Sequence, residues 1–244
     1  MSKPVLYKDN SQPRNFIDAL QASVIKRVEN PYSKNESVVY EFTQDRGLLN
    51  QYYGLRQRMY RNIFGSDSVE GGEDVHDKLS HILIARRGNL CLGGCRLTLR
   101  EHDETWALPM ESAQFTLREA FADLPLSRVR HGEVSRFTVM EDCGEDDVFG
   151  GLCKMVYAKI ADSNMPYVFT KLSLPEAKAW RAAANSFGVN TTRICNEIEM
   201  PEVLLHPTAD AYVKWSVTVS DMSGYCHDES GAASTKSAGL SLVE

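Results

Sequence analysis

The sequence lacks the features that mark membrane, secreted and metal-binding proteins. No stretch approaches the roughly 18 consecutive apolar residues of a transmembrane helix. The first residues, MSKPVLYKDNSQPR, contain no apolar core of a secretory signal. Six cysteines are scattered without a C-x-x-C pair, and no cysteine–histidine cluster has the spacing of zinc ligands. We therefore expect a cytoplasmic protein with reduced thiols, no membrane span and no metal site.

A strong excess of charge is also missing. Lys and Arg number 27 against 33 Asp and Glu, which gives a formal net charge of -6. A mildly acidic chain is a poor candidate for broad binding to nucleic acid or to anionic membranes. No glycine-rich Walker or Rossmann loop follows a strand, so we expect no permanently bound nucleotide cofactor. Hydrophobic residues at 43% are typical of a globular protein, and 244 residues can bury a sizeable core.

Three segments differ in composition. Residues 1–35 are predicted to be an N-terminal extension with one amphipathic helix, because Phe16, Leu20 and Val24 share a helical face. Residues 36–221 are predicted to form the folded body of the chain, a single α/β domain. Residues 222–244 are rich in Ser, Gly and Ala and poor in large apolar groups, so we expect a disordered tail there.

The body alternates between the two hydrophobic periodicities, which predicts a mixed α/β fold. Helices are predicted over 47–64, briefly within 101–125, and over 147–163 and 175–187. Strands are predicted over 37–42, 79–85, 90–99, 131–140, 167–172, 191–200 and 211–219.

Charged residues within the predicted strands are the most informative positions, because a strand core rarely contains them without a purpose. Arg96 lies in one strand, and Glu133 and Arg136 lie in a later one. In a regular strand, residues 133 and 136 point to opposite faces. Either they serve different sides of the sheet, or a bulge between them reverses the alternation. The Gly93-Gly94 pair would also allow close approach of another chain or a ligand.

These residues belong to a pattern that resembles the acyl-homoserine-lactone synthase family. That family has Arg-x-x-x-Phe on its first long helix, a D-x-[FY]-D loop, an Arg in a G-C-R-L strand and E-x-S-R-F in a later strand. The matching positions here are Arg56 and Tyr60, Asp74 and Asp77, Arg96, and Glu133 to Phe137. The resemblance covers roughly residues 38 to 140. Leu108-Pro109-Met110-Glu111 looks similar to a stretch of the related N-acyl amino acid synthases.

The resemblance implies a GNAT-like acyltransferase fold for the body at residues 36–221. Its central sheet would be twisted, mostly antiparallel and flanked by helices. A V-shaped gap between the strands at 131–140 and 167–172 would admit the acyl-phosphopantetheine arm of the donor. The implied activity is transfer of a fatty acyl group from an acyl-carrier-protein thioester to the amine of S-adenosylmethionine. Lactonisation then gives an N-acyl-homoserine lactone, a quorum-sensing signal.

The chemistry suggests a role for each residue. Acyl transfer to an amine needs a base near that amine, so we predict Glu133 as general base, with Arg96 and Arg136 as further catalytic residues. Asp74 and Asp77 would hold the cationic groups of the acceptor, while an arginine clamps its carboxylate or pairs with these acids. The residues predicted to bind substrate are Arg56, Tyr60, Asp74, Asp77, Ser135 and Phe137.

Several alternatives stay open at this stage. The acceptor could be a free amino acid, or the fold could serve as a non-catalytic module that binds acyl groups or proteins. The donor could be acyl-CoA instead of a carrier protein. The glycines near residues 144 and 150 do not form the Q/R-x-x-G-x-G/A loop of CoA-using GNAT enzymes, which favours a carrier protein. A basic patch would attract such an acidic partner, and its candidate residues are Arg86, Arg87, Lys154, Lys159, Lys171, Lys178 and Arg181.

Overall fold

The computed structural model describes residues 36–64, 71–141, 143, 147–173, 180–185, 189, 192–194, 198–199 and 214–226. The strands in these ranges are β1 Val39–Phe42, β2 His81–Arg87, β3 Leu90–Arg100, β4 His131–Val139, β5 Tyr167–Ser173, β6 Thr192–Ile194, β7 Ile198–Glu199 and β8 Lys214–Asp221. The α-helices are α1 Arg46–Phe64, α2 Leu117–Ala120 and α3 Val148–Asp162, and residues 180–185 are also helical.

The long helices begin where the sequence provides a capping acid. The Asp45 carboxylate accepts from the Leu48 N–H at 2.9 Å ahead of α1. The Asp147 carboxylate accepts from the Gly150 N–H at 2.8 Å ahead of α3. Each cap satisfies a backbone donor that has no partner inside the helix.

Most predicted elements are present, and the differences have local causes. The predicted strand at 79–85 begins two residues later, since Asp77–Leu79 form a 3-10 turn. The predicted helix at 175–187 is described only over 180–185, where it is helical. The extension at 1–35 lies outside the described residues. So does the predicted tail beyond residue 226, while its first residues include a short 3-10 helix at Ser223–Tyr225.

The eight strands form one sheet in the order β1-β2-β3-β4-β5-β8-β6, with β7 also pairing with β8. Neighbouring strands are antiparallel except β4 and β5, which are parallel. This confirms the predicted mostly antiparallel sheet. The crossover from β4 to β5 runs through α3, as parallel neighbours require.

The predicted V lies between β4 and β5. These strands pair at three positions, from His131–Tyr167 to Glu133–Phe169. Beyond that point the ladder ends, although β4 continues to Val139 and β5 to Ser173. Glu133 therefore lies at the apex of the V.

Apolar side chains cover both faces of the sheet. On one face, α3 and the helical residues 180–185 pack on a core that includes Leu97, Val134 and Val168. On the other face, α1 packs near β2. Next to it, the segment between β3 and β4 packs on β5 and β8 around Phe121 and Phe169. The candidate site lies on this second face.

Two further expectations concern the chain as a whole. No helix among the described residues is long and apolar enough to cross a membrane. Five of the six cysteines are described, and each of them is a thiol: Cys91, Cys95, Cys143, Cys153 and Cys226.

Candidate active site

A bulge in β4 brings Glu133 and Arg136 to the same face of the sheet. Arg96 pairs with Ser135 and Gly94 with Thr138, so two residues of β4, Arg136 among them, lie opposite a single residue of β3. The extra residue reverses the alternation of side chains. Arg136 adopts a left-handed backbone with φ of 60°. Such a conformation is unfavourable for a residue with a Cβ and is concentrated at functional sites. The sequence left open whether residues 133 and 136 serve different faces or are separated by a bulge, and the structure has the bulge.

Helix α1 supports this bulge through Tyr52. Its hydroxyl donates to the Arg136 carbonyl at 2.7 Å. A Cβ on Gly94 would lie 2.9 Å from the Tyr52 ring. The glycine thus makes room for a side chain of the same chain, instead of the ligand or second chain considered from the sequence. It also explains why a glycine is needed at this point of a central strand.

The inner part of the site is a buried ionic network. Arg56 donates to Asp77 through Nη1 at 3.1 Å and Nη2 at 2.6 Å, and both side chains have 0% exposure. Arg96 donates to the same carboxylate at 3.2 Å. Arg56 also donates to the Gly71 carbonyl at 2.5 Å and to the Gly72 carbonyl. The Arg56 guanidinium, from helix α1, therefore fixes the backbone of the loop that carries Asp77.

The outer part of the site is open to solvent. Asp74 accepts from Arg96 Nη1 at 2.8 and 2.9 Å and from Arg136 Nη2 at 3.1 Å. The Asp74 side chain is 17% exposed and that of Arg136 is 26% exposed. Partial burial raises the pKa of Asp74, but Arg96, the Asp77 N–H and Arg136 outweigh it and lower this pKa to about 2. Tyr60 lies under Arg136, with 5.2 Å between the guanidinium carbon and the ring centroid.

The two predicted aspartates differ in burial but both pair with arginines. Asp77 has a fully buried side chain and accepts from two arginines and the Asp74 N–H. Asp74 reaches solvent but pairs with Arg96 and Arg136. Both acids hold arginines in place. Arg136 is the most exposed of the three arginines.

Glu133 is a buried carboxylate with few partners. Its exposure is 2%, and Oε2 accepts from the Met110 N–H at 2.7 Å. Burial raises its pKa above the usual range, and this effect is opposed by the Met110 N–H, Arg96, Ser135 and Lys171. A carboxylate with a raised pKa binds a proton more readily near neutral pH, which suits a general base.

The two remaining predicted positions lie on opposite faces. Ser135 accepts from Arg96 Nε at 3.2 Å and belongs to the site. Phe137 lies on the far side of the bulge, with its ring 5.3 Å from Phe149 and 5.4 Å from Trp180. Phe137 is partly buried and packs against the core under α3, on the opposite face from the arginine network. The other predicted residues are brought together, including Arg56, Tyr60, Asp74, Asp77, Arg96, Glu133, Ser135 and Arg136.

Sequence reasoning missed the partner of Glu133. Met110 comes from the segment between β3 and β4, where a loop and short helix were predicted without a role. The resemblance of Leu108–Glu111 to a stretch of the N-acyl amino acid synthases is the signal in the sequence that points to this turn.

Within the described residues, no group of three or more His, Cys, Asp or Glu side chains is placed to hold a metal ion.

Comparison with known proteins gives the fold class. No protein-family model and no curated protein matches the sequence. The structure of FeeM, an N-acyl amino acid synthase from uncultured soil microbes, matches with a TM-score of 0.50 at 8% identity, over 78% of this chain and 93% of FeeM. The acyl-homoserine-lactone synthase LasI matches with a TM-score of 0.50 at 12% identity, over 78% of this chain and 93% of LasI. A CoA-dependent acyl-homoserine lactone synthase, BjaI, solved with SAM and isopentyl-CoA, matches with a TM-score of 0.49 at 16% identity, over 76% of this chain and 83% of BjaI.

The chain therefore has the GNAT-like acyltransferase fold, as the sequence resemblance implied. Within that class, it shares its architecture with an acyl-homoserine-lactone synthase and an N-acyl amino acid synthase.

Proposed function

We propose that the protein is an acyltransferase that moves an acyl group from a thioester to the amine of a small acceptor. The observation that carries this proposal is the position of Glu133. It is a buried carboxylate at the apex of the V, on the same face as a partly open arginine network. A purely structural acid would gain little from such burial, since burial without a salt bridge disfavours its charged form.

The reaction assigns a destination to each proton and electron pair. The amine nitrogen attacks the thioester carbonyl, the carbon–sulfur bond breaks, and the sulfur leaves as a thiolate with the electron pair of that bond. The thiolate then takes up one proton from water or from protonated Glu133. Glu133 takes the proton of the attacking amine, directly or through one water. The V holds the donor arm, because backbone groups of β4 and β5 beyond the apex can bond its amides.

Arg136 is the residue proposed to bind the acceptor. Its guanidinium is partly exposed and held on Tyr60 and Asp74, so it is preorganised to take a carboxylate. Arg96 is 1% exposed and acts by positioning Asp74 and Ser135. Arg56 and Asp77 act one step further away, by fixing the loop that carries Asp74.

Our first candidate acceptor is S-adenosylmethionine, which the sequence resemblance implies. After acylation of its amine, the carboxylate attacks the carbon bonded to the sulfonium. This step closes the lactone and expels methylthioadenosine. The product is an N-acyl-homoserine lactone, and the assignment of a quorum-sensing role depends on it.

A free amino acid is the second candidate acceptor, and one observation favours it. Asp74 and Asp77 are already paired with arginines, so neither offers a vacant carboxylate to a sulfonium. A free amino acid needs only a clamp for its carboxylate and a base for its amine. Arg136 and Glu133 supply these two functions.

An acyl carrier protein is the proposed donor, with acyl-CoA as the alternative. The carrier protein is favoured because the sequence lacks the pyrophosphate-binding loop of CoA-using GNAT enzymes. The predicted basic patch is the surface on which the carrier protein would dock. Not every member of that patch offers its full charge, because Arg86 pairs with Glu41 at 2.9 Å. Lys154 on α3 is exposed.

Mass spectrometry of a donor and acceptor matrix tests the proposal. The purified full chain is incubated with an acyl-carrier-protein thioester or acyl-CoA, and with S-adenosylmethionine or a mixture of amino acids. An N-acyl-homoserine lactone supports the first candidate, and an N-acyl amino acid supports the second. Release of thiol with no acylated amine would indicate hydrolysis. No turnover in any combination would contradict the proposal and favour a non-catalytic binding module.

A further inference from the structure

A second buried ionic cluster lies on the same face, at the other end of strands β3 and β4. Arg100 Nη1 donates to Glu111 Oε2 at 2.5 Å, and these side chains are 5% and 6% exposed. Arg100 Nε donates to His131 Nε2 at 3.0 Å. The His131 Nδ1 lies 3.1 Å from the Val129 carbonyl, so it carries the proton and Nε2 is the acceptor. Arg100 and His131 are paired residues of the two strands.

Glu111 connects this cluster to the segment between the strands. Its Oε2 accepts from the Leu108 N–H at 2.8 Å, and its Oε1 accepts from the Leu117 N–H at 2.8 Å. The Glu111 N–H donates to the Leu108 carbonyl at 2.8 Å. One carboxylate therefore closes the turn at residues 108–111 and ties it to the start of α2. Arg100 also donates to the Trp106 carbonyl at 3.0 Å, which fixes the entry to the turn.

The turn held in this way carries the N–H that contacts Glu133. Met110 is the residue before Glu111, and its N–H donates to Glu133 Oε2 at 2.7 Å. Leu108 and Met110 are 1% and 3% exposed and pack in the apolar cluster around Phe121 and Phe169. The Met110 N–H cannot move away from Glu133 unless the bonds of Glu111 or this packing are disturbed.

We propose that Glu111 is a positioning residue for Glu133, since its carboxylate holds the turn that keeps the Met110 N–H on the base. The proposal deepens the proposed function and rests on it where Glu133 is called a base. The contact itself is independent of any reaction. Arg100 and His131 serve the same purpose by orienting the Glu111 carboxylate.

The electrostatic reason lies in the small number of groups that replace water around Glu133. The Met110 N–H and Ser135 hydrogen-bond to it, while Arg96 and Lys171 act through their charge. Each of these four groups lowers the pKa of a carboxylate that burial raises. A turn that moved the Met110 N–H away would favour the protonated acid. A protonated Glu133 cannot accept the proton of the amine.

A merely structural role for Glu111 makes a different prediction. In that case its loss lowers stability but leaves the titration of Glu133 unchanged. The test therefore measures Glu133 itself. The chain is labelled with ¹³C at the side-chain carboxyl of glutamate, and the Glu133 signal is assigned as the one missing from Glu133→Gln.

Glu111→Gln removes the charge and keeps the size of the side chain. We expect the Glu133 titration midpoint to rise by about one unit, a tenfold change in the ionised fraction below the midpoint. Two controls should leave the midpoint in place. Glu101→Gln makes the same chemical change in an exposed pair with Arg130. Val156→Ala lowers stability from the opposite face of the sheet, where Val156 is buried.

An unchanged Glu133 midpoint in folded Glu111→Gln would overturn the proposal. If that variant does not fold, the wild-type chain still provides the test. The Met110 amide resonance should shift with the same midpoint as the Glu133 carboxyl, and a Met110 amide that ignores this titration would overturn the proposal. Neither measurement needs turnover. A chain that is inactive with every donor would therefore contradict the proposed function, while the titrations would still test the contact between Met110 and Glu133. In an active chain, the low-pH limb of kcat/KM should move with the midpoint.

Discussion

Two buried ionic clusters flank Glu133 on one face of the sheet, and they differ in their access to solvent. The cluster of Arg100, Glu111 and His131 is closed, with its two charged side chains 5% and 6% exposed. The other network ends in Asp74 and Arg136, which are 17% and 26% exposed. Both clusters are built from residues that strand pairing places opposite each other or that loops bring to the same face.

The difference in solvent access means that the two clusters can act in different ways. A closed cluster cannot exchange partners with a ligand, so it acts on chemistry only by holding backbone in place. An open network can release one partner and accept another, as a carboxylate clamp must. Glu133 lies between them and depends on both, through the Met110 N–H from one side and Arg96 from the other.

The largest expected loss of stability comes from the buried pair of Arg56 and Asp77, at the inner end of the open network. Asp77→Ala removes a carboxylate from fully buried Arg56 and leaves its charge uncompensated. We expect the free energy of unfolding to fall by about 3–5 kcal/mol. Asp74→Ala is the matched variant at the exposed end, and its loss should be clearly smaller. Urea denaturation of both variants measures the contrast, and equal losses would break the distinction between inner and outer parts.

A smaller effect is expected from the strained backbone at the open end. Arg136 has a φ of 60°, which glycine tolerates and alanine does not. Arg136→Gly should therefore be more stable than Arg136→Ala by about 1 kcal/mol. Both variants remove the proposed clamp, so the KM for the acceptor should rise by a similar factor in each. Equal stabilities would show that the bulge relaxes when the side chain is removed.

The smallest effect is a pH dependence in the closed cluster. Burial and the charge of Arg100 lower the pKa of His131, while its bond to the Val129 carbonyl opposes them. Because the unfolded chain binds this proton more tightly, stability from His131 is present above its unfolded pKa of about 6.5 and is lost as pH falls through the lower folded value. Arg100, Glu111 and Arg118 are the charged groups around it.

His131→Gln should therefore reduce the loss of stability below about pH 6.5. The measurement is the unfolding free energy of the wild type and the variant from pH 7.5 down to 5. His102→Gln is the control, because His102 is exposed in the loop after β3 and its side chain belongs to neither cluster. Parallel pH curves for wild type and His131→Gln would contradict a neutral, buried His131.

Most residues of the candidate site could be selected from the sequence because they follow a pattern that resembles a known family. Arg96, Glu133 and Arg136 stand out as charges in predicted strands, and the V follows from the fold that the resemblance implied. Arg56, Asp74 and Asp77 were predicted as site residues, but their mutual pairing was one of two alternatives. Pairing is set by which oxygens face which guanidinium groups, and a sequence does not contain those directions.

The rest depends on register and on segments without a periodic pattern. A single extra residue in β4 decides that Arg136 faces Asp74 and that Phe137 faces Phe149 and Trp180 on the other side of the sheet. The closed cluster needs the pairing of Arg100 with His131 and a turn at 108–111, and no hydrophobic period marks that turn. Local spacing cannot supply contacts between residues that lie more than twenty positions apart, such as Met110 and Glu133.

The most direct test of the account is the turnover of Glu133→Gln. The variant should fold, and its kcat for N-acyl product should fall on the order of 10²-fold or more, which is the usual contribution of a general base. The free energy of unfolding at pH 8 should be unchanged or increased in Glu133→Gln. The reason is that burial raises the pKa of Glu133, so its ionised form destabilises the folded protein. Glu101→Gln should keep the wild-type rate. A Glu133→Gln enzyme with near wild-type kcat would contradict the account, because the base would then lie elsewhere.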